Sequence, residues 1–301
     1  MTQIAIAVEQ ETKKLFPLTN DAMMKLYFTR EENMEQLKQF IKATTHLTNE
    51  DLFKVEIKNP YLSKQQVLEK DFIVDIRVTS TTGHQINIEV QVKKHADFIE
   101  RMVSYNARQY STQLHRGDEY SELKEAISII VVDFSLFDDT NEFFEHILFR
   151  RKNGKVFTNA QQFYIIDLTK MPFELTGPKH QWGALFKAKS KEELEMLIQE
   201  SDEMKVAAEK LMKLNEDKIA REIAIAREES QWAWEFTKNA ERRQAHAQGR
   251  KEAEAQALAE KLEEKLEIAR KLLSLNLPIE QVVTATNLTL EAVEALQLES
   301  S

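Results

Sequence analysis

The chain has 301 residues, no cysteine and a formal net charge of −9 at pH 7. The absence of cysteine excludes disulfide bonds and thiolate metal sites. The acidic balance argues against a protein that coats nucleic acid through its overall charge, so any contact with DNA must come from local basic patches. No segment reaches the apolar length of a membrane span and the first residues lack a signal-peptide core, which predicts a cytoplasmic protein without membrane contacts.

The first element in chain order is a helical pattern that begins at Asn20 or Asp21 and runs to about Lys42. Either residue is a suitable N-cap, and apolar residues recur behind it at helical spacing. Lys25 lies in the first turns of this predicted helix. A strand-like segment follows over residues 52–58.

Two segments of alternating apolar and polar residues come next, at residues 71–78 and 86–93, and they predict a β-hairpin. If the hairpin is symmetric about Thr82, Asp75 lies directly opposite Glu89 on the polar face, with Cβ atoms about 4.5–5.5 Å apart. Two carboxylates at this spacing can share a hard cation such as Mg²⁺, as in a metal-dependent phosphodiesterase. The alternative is a solvated sheet face that carries acids incidentally, because a single pair of acids is a weak motif.

A second helix is predicted from Asp97 to about Arg116, followed by an almost continuous β-branched run at residues 126–133 that indicates a buried strand. The order of elements is therefore α-β-β-β-α-β. Since a helix connects the third and fourth strands, those two strands should be parallel, which predicts an α/β fold with a mixed sheet.

The second helix also carries a stripe of potential phosphate ligands. Arg101, Tyr105 and Arg108 recur at spacings of four and three residues, so they share one face of the helix. Guanidinium groups make bidentate contacts with phosphate, which favours a DNA-binding surface. The alternative is an amphipathic surface helix with incidental arginines. A further basic patch occupies residues 150–155.

Taken together, these segments resemble the PD-(D/E)XK nuclease superfamily and, more narrowly, its Rpn family of recombination-promoting nucleases, which are transposase-like. The resemblance is close over residues 18–133 and looser to about residue 186. The matching segments are Asp21…Lys25-Leu-Tyr-Phe28, Lys70-Asp-Phe-Ile-Val-Asp75-Ile, Asn87-Ile-Glu89-Val-Gln91, Arg101-Met-Val-Ser-Tyr105-Asn-Ala107 and Gln113-Leu-His-Arg-Gly117-Asp-Glu-Tyr120. This resemblance implies a restriction-endonuclease-like αβββαβ core and a DNA endonuclease that uses Mg²⁺, with Mn²⁺ as an alternative.

The resemblance also implies roles for individual residues. Asp75 and Glu89 would be the metal ligands, the carbonyl of Val90 a third ligand, and Gln91 a further catalytic residue. Gln91 stands where the superfamily has lysine, and an amide can orient a water molecule but can neither give up a proton at neutral pH nor add positive charge.

The general base is therefore left open by the sequence. Lys93, Lys25 or Lys70 could reach the site, or a metal-bound water could need no side-chain base. The competing function is a non-catalytic interaction or DNA-binding scaffold built on a degenerate nuclease fold. The acidic charge and the missing lysine at position 91 favour that alternative, whereas the intact Asp75 and Glu89 favour the enzyme.

A further strand is predicted at residues 162–167, and prolines and glycines between residues 172 and 183 predict a loop-rich edge that ends a nuclease domain spanning residues 18–190. Residues 191–275 then form a charged helical extension with a patchy apolar stripe. It is interpreted either as a dimerising or DNA-reaching arm or as a solvated helix docked at one end.

The last segment, residues 276–301, predicts two short helices around Asn287. Its proportions are those of a helix-turn-helix, but its second helix has acids and no basic residue, unlike a groove-reading helix. We interpret this tail as an oligomerisation or capping module. Homo-oligomers would then form through the C-terminal helical region.

Overall fold

The computed structural model describes residues 14–58 and 75–299. Its centre is a six-stranded mixed sheet with the strand order β1-β2-β3-β4-β6-β5. The strands are β1 Glu56–Ile57, β2 Ile76–Thr79, β3 Gln85–Gln91, β4 Ala126–Val132, β5 Phe144–Arg150 and β6 Val156–Asp167. The β3–β4 and β4–β6 pairs are parallel, whereas the β1–β2, β2–β3 and β5–β6 pairs are antiparallel. The predicted α/β fold with a mixed sheet is confirmed.

Helices cover the sheet and continue beyond it. They are α1 Asp21–Thr29, α2 Met34–Thr44, α3 Phe98–Ser111, α4 Pro178–Lys187, α5 Lys191–Leu197, α6 Asp202–Glu216, α7 Lys218–Ser274, α8 Ile279–Thr286 and α9 Leu290–Glu299. The 57-residue α7 confirms the predicted long helical extension. None of the helices in the described residues has both the length and the apolarity needed to cross a membrane.

Several predicted boundaries differ from the structure. The helix predicted from residue 20 to about residue 42 is interrupted, because Arg30 has an extended backbone (ψ 134°) and a 3₁₀ turn separates α1 from α2. Asn33 stabilises this break by donating a hydrogen bond from Nδ2 to the Tyr27 carbonyl, 2.7 Å away. The strand predicted at residues 52–58 shortens to β1, and the second predicted helix ends at Ser111 rather than near Arg116.

Two elements were not predicted. Strand β5 was missed, and the segment interpreted as a loop-rich edge contains α4. Pro178 does not prevent this helix, because it occupies the first helical turn, where a missing N–H is tolerated. Trp182 and Phe186 of α4 are fully buried and pack against Phe28 and Phe40 from the N-terminal helices.

The sheet separates two apolar clusters. The larger contains alternate residues of the central strands, such as Ile86, Ile88 and Ile129, together with α1, α2, α4 and α6. The smaller lies under α3, where Phe98 and Met102 pack against β4 and β6. The central strands of the sheet are thus buried on both faces.

Two compact units divide the chain, Met1–Gln231 and Trp232–Ser301. The first extends beyond the boundary placed at residue 190, because α5, α6 and the first turns of α7 contribute apolar side chains to the larger core cluster. The second unit contains the rest of α7, and near its end Ala269 packs with α8 and α9 around Val282 and Val293. Asn287 separates α8 from α9 in the left-handed conformation, as expected for a residue between two short helices.

Candidate active site

The hairpin of β2 and β3 brings Asp75, directly before β2, next to Glu89 of β3. The register pairs Ile76 with Ile88 and Thr79 with Gln85, as a hairpin symmetric about Thr82 requires. These pairs confirm the predicted register, and extending it by one residue sets Asp75 opposite Glu89. Of the predicted first strand, residues 71–74 lie outside the described residues.

The two acids on the polar face of this hairpin are buried, although Arg77 on the same face is exposed, so the interpretation of an open, wet face is wrong for Asp75 and Glu89. Asp75 is 5% exposed and Glu89 8%, and Asn87, two residues before Glu89 on the same strand face, is also buried. The cause is α3, which packs over this side of the sheet and brings Arg101 to Glu89. Two carboxylates are thus held where water is scarce.

Cations from different elements surround the two carboxylates. Arg77 Nε donates a hydrogen bond to Asp75 Oδ2 at 2.9 Å. Arg101 Nη2 of α3 lies 3.6 Å from Glu89 Oε1. Lys25 of α1 is 2% exposed and interacts electrostatically with Asp75. Burial lowers the pKa of Lys25, whereas the charge of Asp75 opposes this change.

Glu89 has the perturbed ionisation that is typical of functional sites. Burial is the largest cause and raises the pKa of Glu89 to about 6. Arg101 counteracts this by favouring the charged form, while the charges of Asp75 and Asp21 raise the pKa further. Since Asp21 contributes to this balance, α1 supplies an acid as well as a lysine to the surroundings of Glu89.

Sequence reasoning missed the residue that holds Asp21. Arg227 of α7 forms a bidentate ion pair with the Asp21 carboxylate, with a shortest N···O distance of 2.6 Å. The four-residue spacing of Asp21 and Lys25 places both on one helix face and was a usable signal for Asp21. Nothing in the sequence marks Arg227, because its partner lies 206 residues away.

The remaining predicted site residues occupy the rim. Gln91 ends β3 and donates a hydrogen bond from Nε2 to the carbonyl of Lys93 at 3.3 Å. Tyr105 and Arg108 lie one and two turns beyond Arg101 on α3, and both are exposed. The structure therefore brings Lys25 and Arg101 to the carboxylates and leaves Tyr105 and Arg108 on the outer surface of α3. Lys70 lies outside the described residues.

The donor set fits a hard divalent cation. Mg²⁺ is usually bound by one or two carboxylates and keeps several water ligands, and Asp75 and Glu89 supply two adjacent buried carboxylates. Within residues 14–58 and 75–299, no group of three or more histidine, cysteine or acidic side chains is arranged to hold a metal. Further ligands would therefore come from backbone carbonyls, water or substrate.

Comparison with known proteins is consistent with this geometry. A family model described as PD-(D/E)XK nuclease family transposase matches residues 18–241, well over half of the chain. No curated protein and no solved structure matches. The chain therefore belongs to the PD-(D/E)XK nuclease family of transposases.

Proposed function

We propose that this protein is a Mg²⁺-dependent DNA endonuclease that hydrolyses phosphodiester bonds in a transposase-like, recombination-promoting role. The observation that carries the proposal is the buried pair of Asp75 and Glu89, which lie beside cations from three different elements. A purely structural sheet face gains nothing from two adjacent buried acids, because burying carboxylates costs free energy.

Asp75 and Glu89 would hold the cation, and Mn²⁺ would be an alternative to Mg²⁺. Bound there, a divalent cation would polarise the phosphodiester and lower the pKa of an attacking water. Its charge would also offset the repulsion between the two carboxylates, which favours the ionised form of Glu89.

The chain's own cations suit the substrate. Arg101, beside Glu89, would contact the phosphate next to the scissile bond, and Arg108 and Tyr105 would contact phosphates further along the same strand. Lys25 lies close enough to Asp75 to supply the positive charge that Gln91 lacks. Gln91 would orient water through its amide.

One observation favours the second candidate, a DNA-binding scaffold without catalysis. Both carboxylates already have an arginine partner, Arg77 for Asp75 and Arg101 for Glu89. In a scaffold these ion pairs would be permanent and no metal would displace them.

A plasmid-nicking assay decides between the two candidates. We expect the purified protein to nick supercoiled plasmid with Mg²⁺ and not with EDTA, and we expect Asp75→Ala and Glu89→Ala each to abolish nicking. Asp139→Ala, which removes an exposed acid, is the matched control and should retain activity. Circular dichroism must show that all variants are folded.

Wild-type protein that binds DNA but does not nick it with Mg²⁺ or Mn²⁺ would establish the scaffold instead. Nicking that survives both alanine substitutions in folded protein would show that the catalytic site lies elsewhere.

A further inference from the structure

The hairpin formed by β5 and β6 ends in a basic, exposed arm, residues 147–158. Arg151 N donates to the Lys155 carbonyl at 2.8 Å, Gly154 N donates to the Arg151 carbonyl at 2.9 Å, and Gly154 has φ +80°. Arg150 Nη1 also donates to the Gly154 carbonyl at 2.9 Å. The arm is therefore an ordered two-stranded ribbon closed by a tight turn.

The charge of the arm is opposite to that of the chain. It carries four cations, Arg150, Arg151, Lys152 and Lys155, and no acidic residue, although the chain has a net charge of −9. None of these cations forms an ion pair with a carboxylate of the described residues, and all four side chains are exposed. A local concentration of unneutralised positive charge favours a polyanionic partner.

Large apolar side chains are exposed beside these cations. Phe157 is 74% exposed, Phe149 50% and Val156 43%. Shifts in the β5–β6 register occur on both sides of Phe149, and such irregularities bend a ribbon and redirect its side chains. Exposed phenylalanines next to uncompensated cations fit a partner that presents both phosphate and apolar surface.

We propose that this arm docks in the major groove of duplex DNA, away from the site of cleavage. The major groove is about 12 Å wide and admits a two-stranded β-ribbon. In this arrangement the cations of the turn contact phosphates on either side of the groove. Phe157 and Phe149 contact base edges, where the thymine methyl group offers an apolar surface.

The position of the arm in the sheet defines its reach. Gln161 of β6 pairs with Ala126 of β4, which pairs with Gln85 of β3, so residues 156–160 project beyond the ends of β3 and β4 that lie farthest from Glu89. With about 3.3 Å per residue and about 4.8 Å between strands, Phe157 and Glu89 are about 25–30 Å apart. This distance corresponds to about eight base pairs at 3.4 Å each. The choice of DNA as the partner rests on the proposed function, but binding of DNA by the arm does not depend on catalysis.

Metal-free binding tests the arm separately from cleavage. Fluorescence anisotropy would measure binding of the full-length protein in EDTA to a 30-base-pair DNA duplex, an RNA duplex of the same length and a single DNA strand, across a salt series. We expect Arg151→Ala/Lys152→Ala to lower the slope of log affinity against log salt on duplex DNA by about 1.8. We expect Phe157→Ala to weaken duplex DNA binding about fivefold, the loss expected for part of one phenylalanine's apolar burial.

Two matched controls remove equivalent groups elsewhere. Lys205→Ala/Lys213→Ala takes two exposed charges from α6, and Phe173→Ala removes a fully exposed phenylalanine from a loop. Both should bind duplex DNA as the wild type does. The arm variants should bind the RNA duplex as the controls do, because the A-form major groove is too narrow for a ribbon.

The proposal is overturned if the arm variants match their controls on duplex DNA. It is equally overturned if their losses are as large on the RNA duplex, which would indicate general attraction to phosphates. Losses confined to the single strand would assign the phenylalanines to base stacking instead. Because all measurements are made without metal, a protein that fails to nick plasmid still gives a full answer here.

Discussion

Arg227 of α7 holds the carboxylate of Asp21 in α1 with three hydrogen bonds, from Nε to Oδ1 at 2.9 Å, from Nε to Oδ2 at 3.0 Å and from Nη2 to Oδ2 at 2.6 Å. Both side chains are largely buried. Ile223 and Ala226, in the preceding turn of α7, pack against Ala22 of α1. The first turns of the long helix therefore support the helix that carries Lys25.

This pair gives the first prediction. Arg227→Ala leaves the Asp21 charge buried without its partner, and loss of one member of a buried ion pair typically costs about 3 kcal/mol of unfolding free energy. Urea denaturation followed by circular dichroism measures the loss. The stability of Arg227→Lys should lie between those of the wild type and Arg227→Ala, because an ammonium group keeps the charge but cannot make the bidentate contact.

The double variant Asp21→Asn/Arg227→Gln removes both charges, so it should be more stable than Arg227→Ala. Lys191→Ala is the control, since it breaks an exposed ion pair with Glu195 and should have no measurable effect. If Arg227→Ala is as stable as Lys191→Ala, this ion pair does not support α1.

The hairpin shows what the sequence specified well. Alternation with period two and the turn around Gly83 determine a register, and the observed pairing of Ile76 with Ile88 follows from it. Burial of Glu89 did not follow, because the helix that covers it is α3 and a strand's alternation does not reveal what packs on either side. The same limit applies to Arg227. The residues four positions away on its helix give no sign of the contact, and its partner Asp21 is distant in sequence.

The pKa of Glu89 leads to a second prediction, on the pH dependence of stability. Since its folded-state pKa of about 6 lies above the ordinary value of 4.5, the folded metal-free protein holds this proton more tightly than the unfolded chain. The resulting stabilisation is fully present below pH 4.5 and is lost as the pH rises through about 6. Glu89→Gln removes this dependence. The unfolding free energy of Glu89→Gln should therefore exceed that of the metal-free wild type by about 2 kcal/mol at pH 7 and by much less at pH 4.5.

Urea denaturation in EDTA at both pH values tests this expectation. Glu174→Gln replaces an exposed acid and is the control. Its unfolding free energy should differ from that of the wild type by the same amount at each pH. If the difference in unfolding free energy between Glu89→Gln and the wild type is also independent of pH, Glu89 titrates normally.

A third prediction concerns phosphate contacts of α3. Arg101→Ala and Arg108→Ala should each weaken metal-free binding to unrelated DNA duplexes alike and reduce the salt slope by about 0.9. An arginine that read a base would instead relax preference at one position. Lys213→Ala on α6 provides the single-charge control. Unchanged affinity and slope in both arginine variants would leave this stripe as a solvated helix face.

Gln91→Lys is predicted to keep substantial nicking activity. Gln91 is half-buried at the end of β3, and its side-chain amide makes one long hydrogen bond to the Lys93 carbonyl, so a longer side chain can extend outward without loss of a core contact. The new ammonium group would lie at the position where the superfamily has lysine. Circular dichroism beside the nicking assay separates the outcomes, and a folded but inactive variant would show that this amide is specifically required.

The last prediction concerns where the chain can be cut. The sequence predicts a nuclease domain over residues 18–190, but the structure places apolar side chains of α5, α6 and α7 inside the core. Asn215 of α6 bonds both backbone groups of Phe16, accepting from N at 2.7 Å and donating to O at 3.1 Å. Tyr27, fully buried in α1, donates its hydroxyl hydrogen to the Ala207 carbonyl at 2.9 Å.

Removal of residues 191–301 would therefore expose apolar side chains of the larger core cluster and leave these buried polar groups without partners. We expect the 1–190 fragment to be aggregated or unfolded, whereas residues 1–241, which keep the whole first compact unit, should melt cooperatively. If the C-terminal unit mediates assembly, the 1–241 fragment will also be monomeric where the full chain is not. Light scattering coupled to size-exclusion chromatography reports both properties. A cooperatively folded 1–190 fragment would show that α5, α6 and α7 are only an attachment, and an oligomeric 1–241 fragment would place the interface in the nuclease unit.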